Sequence, residues 1–195
     1  INTYIGYSNI YRETSSSGGI ATYIFEQLFI RGVVNYIFVV KEVEGTYSYQ
    51  WFDNVEKIKE ISKTRYIPVS LEHLFKEISK IEGKVGVVGV GCFIKAIRLQ
   101  QHYYPELKDK IEKEYHNQEY RIKKPESSSS DYSFGAYDKD KIFHKVEMKT
   151  LGDMWGTGLF KRHACDFCTD VSTELADVSL GDAWLNPYQQ DGLGN

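Results

Sequence analysis

Apolar positions along this chain change period several times, and each change marks an element. Ile20, Tyr23, Ile24, Gln27, Leu28 and Arg31 recur at helical spacing and predict a helix from about Ile20 to Arg31 with a mostly apolar face. The loop ahead of it, Arg12-Glu-Thr-Ser-Ser-Ser-Gly-Gly19, is built of small residues, and its serines suit N-caps. Gly32 ends the helix, and Val33–Lys41 reads as a buried strand. Lys41–Phe52 predicts a second strand turning at Gly45, and the weak alternation of Ile1–Ile10 predicts an edge strand.

Val55–Thr64 reads as a short polar helix or loop. Residues 66–69 read as extended, because the residue before Pro68 avoids helical backbone. Leu71, Leu74, Phe75 and Ile78 line one face of an amphipathic helix over Leu71–Ile81, which Gly83 ends. Val85–Val90 predicts a short buried strand leading through Gly91-Cys92 into a helix from Phe93 to about His102. Strands alternating with helices define an α/β fold, with a largely parallel or mixed sheet flanked by helices and right-handed crossovers. The lysine- and glutamate-rich run Glu106–Glu119 predicts a solvated helix. Ser127–Asp131 reads as a polar loop, Ser133–Tyr137 with Lys141–Met148 as a β-hairpin, and Met154-Trp155 as a cap over a pocket. Leu175–Leu180 alternates like a strand and runs into Gly181-Asp182-Ala183-Trp184.

Composition narrows the classes. A chain of 195 residues can bury a real core. A net charge of −3 gives no general attraction to nucleic acid or anionic lipid, so neither is an expected partner. No apolar run approaches the ~18–20 residues of a membrane span. Three cysteines are too few for a disulfide scaffold, which favours a reducing, cytoplasmic compartment. The ends, Ile1 and Asp-Gly-Leu-Gly-Asn195, suggest a piece of a longer chain.

Candidate chemistry gathers in three places. Ser15-Ser16-Ser17-Gly18-Gly19 ahead of a helix has the ingredients of an anion cradle, with free backbone N–H groups, hydroxyls and glycines that admit a phosphate. Arg12 upstream has the fork geometry that phosphate recognition uses. Cys92 falls at the carboxyl end of a strand near a helix start, where ligands collect in open α/β sheets; a buried inert thiol is the alternative. Cys165-Asp-Phe-Cys168 places two thiols three positions apart, so one turn of backbone can aim both at one centre. That pair admits a redox disulfide, a zinc site completed by Cys92 and His163, or an iron–sulfur site with Cys92 and a thiolate from elsewhere. A thiol pair leading to a strand that ends in Gly181-Asp182 points to redox chemistry more than to a structural clip.

Taken in order, these segments resemble the coenzyme F420 hydrogenase/dehydrogenase β-subunit family. The carriers are Arg12…Ser15–Gly19, Ser62-Lys-Thr-Arg-Tyr66, Val88-Gly-Val-Gly-Cys92…Arg98, and Cys165-Asp-Phe-Cys168…Glu174–Trp184. The resemblance implies an N-terminal part over residues 1–70 and a cofactor- and cluster-binding part over residues 71–195, together one compact unit. It implies an FAD held by Arg12, Ser16, Ser17, Gly18, Gly19 and Thr22, with Gly181 and Asp182 beside the cofactor. It further implies a 4Fe–4S cluster bound in the C-terminal half by Cys92, Cys165 and Cys168. Coenzyme F420 or a ferredoxin-type carrier, and a redox partner subunit, would be the partners. The pattern departs from the family at Gly91, where a proline is usual, and in lacking a Gly-Leu-Phe-Cys-like strand after Arg98. Residues are therefore expected to be missing near Ile111-Glu112, and the fourth cluster ligand with them. A cofactor-free scaffold and a zinc-clipped domain are the competing readings.

Overall fold

The structure is a computed structural model, and it describes residues 2–63, 68–107, 110–116, 133–137, 140, 142–147, 150, 163–170, 172–183 and 185–188. A five-stranded mixed sheet organises it, in the order β2-β1-β3-β4-β7. β1 (Tyr36–Val43) and β2 (Thr46–Phe52) form an antiparallel hairpin, while β1 with β3 (Val85–Val88), β3 with β4 (Ile111–His116), and β4 with β7 (Val178–Ser179) run parallel. The hairpin turns through Glu44 (φ 51°) and Gly45 (φ 79°), two consecutive left-handed residues whose twist matches that of the strands.

Strand alternation sends side chains to both faces, and both faces are covered. Ile37, Val39, Phe52 and Val88 pack on one side with Phe25 and Leu28 of α1 (Ile20–Ile30) and with Ile58 and Ile61 of the 3-10 helix Val55–Ile61. Phe38, Tyr49, Val85 and Val87 pack on the other with Leu74 of α2 (Glu72–Glu77), Ile78, and Ile97 of α3 (Gly91–Tyr103). The connection from β2 to β3 carries α2 and that from β3 to β4 carries α3, both on one face, and α1 with the 3-10 helix Val55–Ile61 holds the opposite face. β5 (Ser133–Tyr137) and β6 (Phe143–Glu147) form the expected antiparallel hairpin as a separate two-stranded sheet, and α4 (His163–Asp166) carries the first cysteine of the pair. Among the described residues, no helix is long and apolar enough to cross a membrane.

Several expectations need correction. The stretch from Glu106 onward is not a solvated helix: after a 3-10 turn at Pro105–Leu107 the chain enters β4 and lies between β3 and β7. Ile111 is buried against Val85 and Val87, and the β3–β4 register passes from Ile111 to Lys113, which leaves Glu112 as a bulge. Ile1–Ile10 forms no strand over its described residues. α1 buries Thr22, Phe25 and Leu28, so its core-facing stripe is rotated from the predicted one and Tyr23 is exposed. β7 keeps only Val178 and Ser179 of the predicted strand, because the residues before it are wound into a turn. Residues 66–67, 117–119, 127–131 and 154–155, on which other expectations fell, and Trp184 lie outside the described residues.

Candidate functional site

The small-residue loop does not cap α1 with a serine. Its N-cap is Gly19 at φ 78°, with no side-chain cap bond and no acidic residue in the first turn. The N-cap residue therefore supplies no side-chain acceptor to the first N–H groups of the helix. Gly19 is required there: a Cβ would stand 2.7 Å from the Tyr11 carbonyl carbon and 2.8 Å from the Arg12 nitrogen. The carbonyl of Gly18 accepts from the Ser8 N–H (2.7 Å), which fastens the loop to the chain before it.

Serines in and beneath the loop are spent in different ways. Ser15 Oγ lies 3.1 Å from Thr22 Oγ1, both buried, and this pair ties the loop to the first turn of α1. Ser17 Oγ donates to Asp182 Oδ1 across a sequence separation of 165 residues. Ser62 Oγ donates to the Thr14 carbonyl (3.1 Å) and supports the loop from behind. A cleft of about 940 Å³ opens between these two distant segments, in the size range of small-molecule and cofactor sites. Its first bank is Ser15–Thr22 and its second is Ser172–Asp177 continuing through Gly181-Asp182.

Of the residues singled out in the sequence, Ser16, Ser17, Gly18, Gly19, Thr22, Gly181 and Asp182 all line this one cleft. Arg12 does not line it; its guanidinium stacks 3.8 Å from the centre of the Tyr7 ring. Tyr11 beneath the loop donates from its hydroxyl to Glu26 (2.5 Å), and burial, then that bond, pushes its pKa up to about 12.

The second bank is set by residues that the sequence did not single out for the site. Asp170 packs on the start of α3, where a Cβ on Gly91 would meet its carbonyl oxygen at 2.9 Å. The departure from proline at position 91 thus has a physical reading: glycine there admits the segment that follows Cys168. Asp170 Oδ1 accepts from the Glu174 N–H (2.9 Å) and Thr173 O from the Ala176 N–H (3.1 Å), which closes a turn. Arg98 of α3 donates to the Leu175 carbonyl (3.0 Å) and pairs with Asp177 (3.4 Å), anchoring the bank to the sheet.

Cys92 sits in the first turn of α3, and Cys165 and Cys168 sit on and just after α4; all three are exposed. Partial burial of its sulfur raises the Cys92 pKa, backbone N–H bonds at the helix start oppose that, and the charges of Cys165 and Cys168 raise it again. No group of three metal-ligating side chains is closed among the described residues. Tyr49, whose hydroxyl donates to the Val88 carbonyl (2.7 Å), has its pKa raised by burial and by the Cys92 charge.

An open α/β sheet covered on both faces, with a cleft between a helix start and the carboxyl end of its last strand, is an arrangement in which ligands commonly bind. The sequence profile of the coenzyme F420 hydrogenase/dehydrogenase β-subunit N-terminal region matches residues 3–76, and that of the C-terminal region matches residues 82–194. The chain belongs to this family, a family of oxidoreductase subunits. Its fold is similar to that of a chain in the F420-reducing NiFe hydrogenase complex from Methanosarcina barkeri. The likeness has a TM-score of 0.63 at 19% identity and covers 91% of this chain and 70% of that one. No curated protein matches the chain.

Proposed function

We propose that the chain is a flavin- and iron–sulfur-dependent electron-transfer subunit whose cleft holds FAD. The observation that carries this reading is the Ser17–Asp182 hydrogen bond. It joins the two motifs that the family resemblance associates with the flavin, 165 residues apart, around one cleft. The residues fit the group. An uncapped helix start with Gly18-Gly19 suits the diphosphate, and Ser16, Ser17 and Thr22 add hydroxyls along the same bank. Gly181 leaves open space on the other bank, with nothing within 4 Å of a Cβ built there.

Cys92, Cys165 and Cys168 would supply three ligands to a 4Fe–4S cluster. Bound together, a flavin and such a cluster supply exchange between a two-electron donor and one-electron carriers. The chain's own contribution is orientation and exclusion of water. Ser17–Asp182 bridges the banks, Arg98 fixes the second one, and Tyr11 and Ser62 hold the first from below. Coenzyme F420 or a ferredoxin-type protein would be the exchange partner. A companion subunit is expected by analogy with the hydrogenase complex that the fold resembles.

The ligand assignment is tested by Cys165→Ser in full-length protein purified without oxygen. Iron content should fall to background while FAD is retained. Iron content equal to that of the wild type contradicts the assignment, and zinc in place of iron in the wild type would favour a structural clip.

A further inference from the structure

The second bank of the cleft presents a side chain that the fold leaves unsatisfied. Thr173 is 1% exposed, its Oγ1 has no hydrogen-bond partner among the described residues, and it lines the cleft. A buried hydroxyl without a partner forfeits the hydrogen bonds it made to water in the unfolded chain. The backbone adds to that cost, since Thr173 holds φ 55°, a left-handed conformation that a β-branched residue rarely adopts.

Neither cost is relaxed, because the surroundings fix the turn from several directions. Asp170 Oδ1 holds the Glu174 N–H, the Thr173 carbonyl holds the Ala176 N–H, and Arg98 grips Leu175 and Asp177 from α3. Gly91 makes room for Asp170 at the base of the turn. The turn is over-determined around a residue whose hydroxyl goes unused and whose β-branched backbone is strained, an arrangement that binding sites retain because the ligand supplies what the fold withholds. Facing it across the same cleft is the start of α1, whose N-cap glycine supplies no side-chain acceptor.

We propose that Thr173 is a flavin-binding residue, its hydroxyl hydrogen-bonding a polar atom of FAD from the bank opposite the phosphate cradle. This rests on the flavin reading above. It adds a contact from the turn that directly follows the cysteine pair, so the two sites would share one short segment of chain.

The test compares wild type, Thr173→Val and Thr173→Ser, each as full-length protein stripped of flavin, in FAD titrations read by fluorescence and in thermal melts without FAD. Thr173→Val keeps the shape and removes the hydroxyl. It should weaken FAD binding by about tenfold, the worth of one hydrogen bond. Without FAD it should melt at or above the wild-type temperature. Thr173→Ser restores the hydroxyl and should bind within about twofold of wild type. Wild-type affinity in Thr173→Val overturns the inference, as it would if a water satisfied the hydroxyl. A Thr173→Val protein that melts lower or fails to fold overturns it too, because the hydroxyl then has a structural partner. If the wild type itself binds no FAD, the flavin reading falls and takes this inference with it; an affinity change confined to the variants tests Thr173 alone.

Discussion

At Gly19 the backbone turns through φ 78° and any side chain would run into the Tyr11 and Arg12 main chain, not into a movable side chain. Gly19→Ala is expected to cost roughly 2–4 kcal/mol in urea unfolding, combining left-handed strain with a backbone clash. A loss under 1 kcal/mol would mean the loop can re-form around a Cβ. Ser17 and Asp182 should couple. In a double-mutant cycle of Ser17→Ala and Asp182→Asn, a coupling of about 1–2 kcal/mol is expected, and strict additivity would mean that the cross-chain bond adds nothing. Tyr11 carries a pH signature. Its folded pKa is raised from 10.0 to about 12, so the stabilisation is complete below pH 10 and is lost as pH rises toward 12. Tyr11→Phe should therefore flatten the alkaline fall in stability over that window; an unchanged alkaline limb would assign the fall to other groups. The cradle residues were legible in the sequence because small residues before an apolar helix have a local cause. Thr173 was not, since its cost arises from Arg98 and Gly91, which reach its turn from α3 more than 70 residues earlier.

The β1–β2 hairpin shows an element whose turn can be read and improved. Glu44 at φ 51° is the first of two left-handed residues, a position that asparagine tolerates better than glutamate. Glu44→Asn should raise the melting temperature slightly, by a stabilisation of about 0.3–1 kcal/mol, and a fall would mean that Glu44 has a role beyond the turn. β1, β3 and α1 were legible as well, because each carries enough buried side chains to set its own period. β4 was not. Its charged alternation, Glu112-Lys-Glu, looks helical and solvated in isolation, and only the two parallel neighbours and the anchor Ile111 make it a strand. Lys110 adds to that anchor by donating to the Ile78 (2.8 Å) and Ser79 (3.1 Å) carbonyls, satisfying the end of a helix already passed. The bulge at Glu112 falls where the family pattern leads one to expect missing residues, near Ile111-Glu112. The shortening of β7 has a comparable origin, as the Asp170–Glu174 and Thr173–Ala176 bonds take up residues that alternation alone assigned to a strand.

Across the whole molecule, the N-terminal and C-terminal family regions build one sheet and one cleft. β1 from the first pairs with β3 from the second, α1 covers a face to which Val178 also belongs, and Ser17 meets Asp182. Neither region alone encloses the cleft, so flavin binding should require both. Cys92 sits at the α3 start and Cys165 and Cys168 on and just after α4, and the turn that forms one bank of the cleft follows Cys168 and packs on the α3 start. A two-electron site and a cluster would therefore sit on adjoining parts of the chain, which is the arrangement electron exchange between them needs. The measurement that tests this most directly is the visible absorption spectrum of full-length protein purified without oxygen, with the released flavin identified. The account predicts flavin bands over a broad iron–sulfur shoulder and FAD at about one per chain. A colourless protein, or one that binds zinc and no flavin, would contradict it.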